Sequence, residues 1–143
     1  MALDNVQNPQ NLGAAARTAE ALGIDGVIVY SGCDRYNPKA LRASMGSLLR
    51  INMVETDDLV SLISDAREHG MFTFVTVPDS DAQDITSLSF GGGVVAVIGN
   101  EGNGVSKEAE SAAVNRVTIK MKGSAESLNA SAAAVITMWE MMR

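Results

Sequence analysis

The chain has 143 residues, of which 46% are hydrophobic and 20% charged, and its formal net charge is −6. This length predicts one domain with a sizeable core, and the longest strong apolar run, 94–98, is too short to cross a membrane. The N-terminus has no signal-peptide pattern and the single cysteine cannot form an internal disulfide, which together predict a cytoplasmic protein. The acidic balance argues against a broad basic surface for nucleic acid, and one cysteine with one histidine argues against a structural zinc site.

Helix and strand signals alternate along the whole chain. Helices are predicted over 11–22, over a short segment from Asn37-Pro38, from 57 or 58 to 69, over 106–113 and over 128–142, and strands over 26–30, 49–54, 71–77, 94–98 and 116–121. The clearest boundaries are Gly23, which ends a helix, and Asn37 followed by Pro38, which starts one. Continuous apolar strands between helices predict an α/β fold, in which a parallel sheet is covered on both faces and ligands bind beyond the carboxyl ends of the strands.

The opening of the chain departs from this pattern. Only Ala2 and Leu3 precede the polar pair Asp4-Asn5, whereas a parallel α/β domain normally opens with a full strand. We interpret residues 1–143 as one domain and hypothesise that the sequence starts inside a longer protein.

The first candidate motif is the segment from Asn8 through Asn11 and Gly13 to Arg17. On a helix that begins near Asn11, Gly13 and the three alanines after it form a small face that another backbone or a ligand can approach. Arg17 follows less than two turns later. The alternative is that Asn11 only caps the helix and Arg17 is solvated.

The second candidate motif is a glycine-rich loop, 99–104, between the most apolar strand and a helix. This is the context of a phosphate cradle, but Val105 stands where a Walker A loop needs lysine, and the Glu101 carboxylate would repel a phosphate. The loop is better suited to a neutral or cationic group, a hydroxyl or an amide. The alternative is a tight turn that requires positive φ.

The third candidate motif, 117–134, runs from a strand through a polar loop into an alanine-rich helix. Within it, Ser127-Leu128-Asn129 presents a hydroxyl and an amide beside one apolar side chain, which suits a nucleoside-like ligand. The alternative is that Ser127 caps the last helix and Asn129 lies in its first turn.

The end of the last helix is apolar. It carries Met138, Trp139, Met141 and Met142, which predict either core packing or a subunit interface. His69, which precedes Gly70, is interpreted as a partner of a helix C-terminus and not as a catalyst.

Taken in order, these motifs resemble the three signature motifs of the SpoU (TrmH-type) RNA ribose methyltransferases, and the resemblance covers essentially the whole chain. The residues that match are Asn11, Gly13 and Arg17 in the first motif, Gly99, Glu101 and Gly102 in the second, and Met121, Gly123, Ser127, Leu128 and Asn129 in the third. The segment Ala43–Ser47 also resembles a family segment. Lys120 departs from the proline that the family often has before the methionine.

The resemblance implies S-adenosylmethionine as the cofactor and methyl transfer to a ribose 2′-hydroxyl of structured RNA, with rRNA favoured over tRNA. It also implies the SPOUT methyltransferase fold with a deep C-terminal trefoil knot, and an obligate homodimer with no metal. Residues 1–143 would then be the catalytic domain, without the additional N-terminal substrate-binding segment of many members.

The resemblance further implies roles for individual residues. Those implied to bind the cofactor are Thr76, Val77, Pro78, Gly99, Asn100, Glu101, Gly102, Ile119, Met121, Ser127, Leu128 and Asn129. Among the implied catalytic residues, Arg17 would approach the ribose hydroxyl or the adjacent phosphate. The others, Asn11, Glu101, Ser127 and Asn129, would orient Arg17, the methionine moiety and the substrate, and dimerisation would complete the site across subunits.

Two other functions stay open from the sequence. One is a non-catalytic dimeric module of the same fold that binds S-adenosylmethionine or RNA. The other is a P-loop-like nucleotide hydrolase, which Val105 and Glu101 disfavour.

Overall fold

Seven strands form one sheet in the computed structural model, which describes residues 1–143. The strands are β1 (Ala2–Asp4), β2 (Val27–Tyr30), β3 (Met53–Thr56), β4 (Phe72–Thr76), β5 (Gln83–Asp84), β6 (Val94–Ile98) and β7 (Asn115–Thr118). Their order in the sheet is β3-β2-β1-β6-β4-β7-β5, and every neighbouring pair is parallel. All carboxyl ends therefore lie at one edge, where the ligand loops were predicted.

Five α-helices cover this sheet. They are α1 (Pro9–Leu22), α2 (Pro38–Ala43), α3 (Leu59–Glu68), α4 (Lys107–Ala113) and α5 (Ala130–Met142), and two short 3-10 helices span Ser47–Leu49 and Ile85–Ser87. Helix α1 contacts α2 and α5, whereas α3 contacts α4. The buried apolar side chains form two clusters, a larger one that includes Leu12 and Met138 and a smaller one that includes Ile63 and Ala109. The predicted α/β fold with helices on both faces is confirmed, and none of the helices has the length and apolar character needed to span a bilayer.

The first helix begins earlier than predicted. The side chain of Asn8 accepts a hydrogen bond of 2.9 Å from the Gln10 backbone N–H, and Pro9 occupies the first turn, where a missing N–H has no cost. A start near Asn11, and Asn11 as the cap, are therefore wrong. The predicted end is right, because Gly23 adopts the left-handed conformation that closes α1.

The last helix also begins at a different residue. Asn129 accepts hydrogen bonds of 2.9 and 3.4 Å from the backbone N–H groups of Ser131 and Ala132, so α5 starts at Ala130 and not at Leu128. Ser127 as the cap is wrong, and Asn129 takes that role because its amide oxygen reaches two free N–H groups of the first turn.

The predicted strand over 49–54 is wrong in its first half. Residues Ser47–Leu49 form a 3-10 helix, and the Ile51 N–H donates to the Ser47 carbonyl at 2.9 Å. Leu48 is buried and Leu49 is 63% exposed, so the apolar run belongs to a turn rather than to a strand. The strand starts only at Met53.

Other strand boundaries differ by smaller amounts. Strand β6 has the predicted bounds, whereas β4 and β7 are shorter than 71–77 and 116–121. The two-residue strand β5 was not predicted, because it contains no apolar residue to signal it. The short β1 is fully buried between β2 and β6, so the polar Asp4 ends a central strand.

The apolar residues at the end of α5, for which core packing and a subunit interface were both predicted, differ in burial. Met138 is fully buried in the core, while Trp139 is 60% and Met142 53% exposed. The homodimer and the trefoil knot stay predictions.

Gly13 lets α1 and α2 approach closely. A Cβ atom at this position would lie 2.5 Å from the Ala40 carbonyl oxygen and 2.6 Å from the Ala43 Cβ. The small face of the first motif is therefore occupied by another backbone, which was one of the two options for it.

Replacing Gly13 by alanine is expected to lower the free energy of unfolding by about 1–3 kcal/mol, because the helices must separate and the gain in helix propensity is smaller. Urea denaturation measures this change. Gly123→Ala is the control, since a Cβ atom there meets nothing within 4 Å. Equal unfolding midpoints for Gly13→Ala and the wild type would contradict the close packing.

Candidate functional site

A cavity of about 730 Å³ opens at the carboxyl edge of the sheet. Loops after β4, β6 and β7 and the first turns of α5 form its walls. All predicted cofactor residues line it except Asn129; they are Thr76, Val77, Pro78, Gly99, Asn100, Glu101, Gly102, Ile119, Met121, Ser127 and Leu128. The fold therefore brings together three segments that are far apart in the chain, and cofactor binding by these residues stays a prediction.

The loop after β6 folds back onto its own first residue. The backbone N–H groups of Asn100 and Gly104 each donate to the other residue's carbonyl, at 2.9 and 3.0 Å. A Cβ atom at Gly99 would overlap the Gly104 carbonyl carbon and the Val105 nitrogen, and Gly104 has a φ of +70°. Both glycines are required by this geometry, Gly99 for close approach and Gly104 for its left-handed backbone.

The side chain of Asn100 fixes this loop from inside. Its Oδ1 accepts from the backbone N–H groups of Gly102 at 2.8 Å and Asn103 at 3.0 Å, and its Nδ2 donates to the Asn5 carbonyl at 2.8 Å. Asn100 thus lines the cavity and also joins the loop to the end of β1.

Glu101 and Asn11 connect the second motif to the first. The buried Asn11 Nδ2 donates to Glu101 Oε1 at 2.9 Å, and the backbone N–H groups of Gln7 and Asn8 donate to the same carboxylate at 3.3 and 3.1 Å. Burial raises the pKa of Glu101, but these hydrogen bonds outweigh it, and the pKa lies below its usual value. The carboxylate is therefore held ionised at the cavity wall.

This lowered pKa predicts how stability depends on pH. The ionised Glu101 stabilises the fold above its unfolded-state pKa of about 4.5, and the contribution is lost as the pH falls through the lower folded-state pKa. Glu101→Gln is therefore expected to reduce the free energy of unfolding at pH 7 but not in acid below both pKa values. Urea denaturation of both proteins at the two pH values tests this, with Glu126→Gln as the control on an exposed carboxylate. If the free energies of unfolding of Glu101→Gln and wild type differ by the same amount at both pH values, the predicted pH dependence is contradicted.

A buried carboxylate that was not predicted from the sequence supports the same loop. Asp4 is 2% exposed, and its Oδ2 accepts from the Ser106 backbone N–H at 2.7 Å and from the Ser106 hydroxyl at 2.8 Å. Ser106 caps α4, so Asp4 joins the end of β1 to the start of the helix that follows the glycine loop. The signal was available, since a carboxylate ending an apolar strand needs a buried partner.

An ion-pair network on the cavity wall was also not predicted from the sequence. Arg116 Nη2 lies 2.8 Å from Asp79 Oδ2, and Arg116 Nε lies 2.6 Å from Glu110 Oε1. The hydrogen bond from the Asp81 N–H, followed by that from Arg116, lowers the pKa of Asp79. Only the position of Asp79 directly after Pro78, at the end of β4, could have indicated it.

The remaining predicted catalytic residues lie in different places. Ser127 is exposed and lines the cavity, whereas Asn129 is used as the cap of α5. Arg17 is exposed on α1, outside the cavity of its own chain and without a carboxylate partner. One chain thus brings Asn11, Glu101 and Ser127 near the cavity and leaves Arg17 apart.

Comparison with known proteins identifies relatives over the whole chain. The model of the SpoU rRNA Methylase family matches residues 1–139. An uncharacterized tRNA/rRNA methyltransferase of Synechocystis is 31% identical over 100% of this chain and 52% of its own length. The chain therefore spans about half of the length of that curated relative.

Two solved structures have the same fold. The SpoU methyltransferase AviRb from Streptomyces viridochromogenes, in complex with the cofactor AdoMet, is 33% identical and aligns with a TM-score of 0.88 over 99% of this chain and 58% of its own. A structure described as giving insight into the 2-OH methylation of C/U34 on tRNA is 25% identical, with a TM-score of 0.85 over 98% of this chain and 91% of its own.

Proposed function

Because this chain belongs to the SpoU rRNA methylase family, we propose that it transfers a methyl group from S-adenosylmethionine to a ribose 2′-hydroxyl of RNA. The observation that carries the proposal is the cavity of about 730 Å³ at the carboxyl edge, which the second and third motifs line together. The relatives support its chemistry, since AviRb was solved with AdoMet and the tRNA-related structure concerns 2-OH methylation.

The cavity has the size and chemistry to hold the cofactor. Its volume lies in the range of sites for drug-sized ligands, and the apolar Val77, Ile119 and Leu128 offer contacts for a nucleoside. The carboxylates of Glu101 and Glu126 also line it, which suits the positive sulfonium better than a triphosphate. S-adenosylmethionine, when bound, would supply a methyl group that its sulfonium already activates.

The protein's own contribution is then to position groups. Glu101, fixed by Asn11 and by two backbone N–H groups, presents an ionised carboxylate at the cavity wall. Ser127 offers a hydroxyl beside Leu128, and Asn129 holds the start of α5 so that both face the cavity. Arg17 brings the positive charge that favours an alkoxide-like oxygen on the substrate ribose.

Arg17 is exposed and does not line the cavity of its own chain. We therefore propose a homodimer in which Arg17 of one subunit completes the site of the other. The exposed Trp139 and Met142 on α5 are candidates for the interface.

Light scattering is expected to give a mass of twice the 15.0 kDa chain mass in dilute solution. Trp139→Asp is expected to shift the protein toward monomer, because a desolvated carboxylate at the interface would be unpaired. Val60→Asp, on an exposed residue of α3, is the control. A monomeric wild type would contradict the dimer.

A second candidate is a non-catalytic module that binds S-adenosylmethionine or RNA. The position of Arg17 outside the cavity favours it if the chain is monomeric. Calorimetry with S-adenosylmethionine and with ATP separates both candidates from a nucleotide hydrolase, since only the last requires ATP binding.

Methyl transfer is tested with labelled S-adenosylmethionine and purified rRNA and tRNA. We favour rRNA, which the family description names, and tRNA is the paired substrate. Nuclease digestion should release a 2′-O-methylated nucleoside. Label on a base would contradict the ribose assignment, and cofactor binding without transfer to either RNA would favour the non-catalytic module.

A further inference from the structure

Residues 35–50, between β2 and β3, differ in charge from the rest of the chain. They include the cations Arg35, Lys39, Arg42 and Arg50 and no carboxylate, in a protein with a net charge of −6. Arg50 is paired with Glu20 through hydrogen bonds of 2.5 and 2.8 Å. The other three have no carboxylate partner. We call Arg35, Tyr36, Lys39 and Arg42 the α2 surface.

Lys39 and Arg42 concentrate positive charge on α2. They are exposed and three residues apart on this short helix, where like charges are neighbours and destabilise it slightly. No acidic side chain of the helix offsets this repulsion. An anionic ligand across both residues would relieve it.

An exposed aromatic side chain lies beside one cation of the α2 surface. The Arg35 guanidinium carbon lies 5.4 Å from the centroid of the Tyr36 ring, and Arg35 Nη2 donates to the Leu48 carbonyl at 2.9 Å. The Tyr36 backbone N–H donates to Asp34 Oδ1 at 2.8 Å, yet Tyr36 is 62% exposed. An exposed ring beside an arginine is an arrangement on which unpaired nucleic-acid bases stack.

A polar groove connects the α2 surface with the cofactor cavity. It has a volume of about 590 Å³ and is lined by Gln7, Asn8, Pro9, Gln10, Lys39 and Glu101. Glu101 is shared with the cavity. The groove therefore has a hydrogen-bond-accepting carboxylate at the cavity side and an ammonium group on α2, which matches the hydroxyls and phosphates that alternate along an RNA strand.

We propose that the α2 surface and this groove bind the RNA strand that flanks the methylated nucleotide. Lys39 and Arg42 bind phosphates, and a base stacks on Tyr36. The charge of the surface, opposite to that of RNA and to that of the protein as a whole, selects this partner. The inference rests on the proposed function and names where its substrate binds.

Fluorescence anisotropy of the full chain with a fluorescein-labelled single-stranded RNA of mixed sequence tests this proposal, over a series of salt concentrations. The double variant Lys39→Ala, Arg42→Ala is expected to weaken binding and to reduce the slope of log K against log salt by roughly 1.4, since each phosphate contact with a single strand contributes about 0.7. Tyr36→Ala is expected to weaken binding roughly fivefold to a hundredfold, and Tyr36→Phe to leave it near wild type. Lys107→Ala, which removes an exposed cation on α4, is the control for charge alone.

Unchanged affinity and salt slope in the double variant would overturn the proposal, as would a wild type that binds no RNA. A loss of dimer in the double variant by light scattering would reassign the surface to contacts between copies of this chain. Calorimetry with S-adenosylmethionine and the methyl-transfer assay are run on the same samples. If RNA binding changes as expected but the wild type transfers no methyl group, the proposed function fails and the RNA-binding surface stands. If the wild type transfers methyl groups but the variants bind RNA like wild type, the function stands and the RNA-binding surface fails.

Discussion

Arg17→Ala is expected to reduce methyl transfer by about 100- to 1,000-fold while the affinity for S-adenosylmethionine stays close to wild type. A positive charge aimed at an oxygen that gains negative charge in the transition state contributes on this scale. The cofactor affinity should persist because the proposed role of Arg17 is on the ribose oxygen of the RNA and not on the cofactor. Single-turnover methyl transfer and calorimetry measure the two quantities.

The controls for Arg17 distinguish the effect of its planar guanidinium from the effect of its charge. Arg17→Lys keeps the charge but loses the planar guanidinium, so a partial rate indicates electrostatic action. Lys107→Ala removes one cation elsewhere and should retain the wild-type rate. Undiminished turnover in Arg17→Ala would remove this residue from the proposed site.

Gly99→Ala is expected to weaken binding of S-adenosylmethionine and to reduce the rate of methyl transfer by about 100-fold. The added Cβ atom would overlap the backbone at Gly104 and Val105, and backbone cannot rotate away as a flexible side chain can. The loop must open, and displacements of about 1 Å at a site can cost this much.

Gly91→Ala is the control outside the cavity. A Cβ atom at Gly91 would meet nothing within 4 Å, and Gly91 does not line the cavity. The cofactor affinity of this variant should remain near wild type. Equal affinities for Gly99→Ala and wild type would show that the closed loop is not needed for binding.

The two variants together test whether Arg17 acts between subunits. A subunit with Arg17→Ala keeps its cavity, and one with Gly99→Ala keeps its Arg17, so a mixed dimer has one complete site. Equal mixing after subunit exchange should restore roughly a quarter of wild-type activity, because half of the dimers are mixed and each has one working site of two. No recovery would indicate that Arg17 acts within its own chain or that subunits do not exchange, and exchange is checked with a tagged subunit.

Local sequence signals predicted much of the fold because they act over short distances. Gly23 and the Asn37-Pro38 pair mark helix boundaries through their own backbone preferences, and β6 could be bounded from its apolar run alone. Errors occurred where two neighbouring residues compete for one role. Asn8 and Asn11 could both cap α1, as Ser127 and Asn129 could both cap α5, and only the fold chose between them.

Alternating helix and strand signals predicted the α/β class, and the resemblance of the three motifs to the SpoU family implied the cofactor residues, all of which line the cavity except Asn129. Tertiary structure decided what most of those residues do. Asn11 contacts Glu101 across 90 positions of sequence, and Asp4 bonds to Ser106 across 102, because parallel strands bring the ends of distant segments to one edge. Only the folded chain could place Arg17 outside its own cavity, since exposure and direction on α1 depend on how the helix packs against α2 and α5.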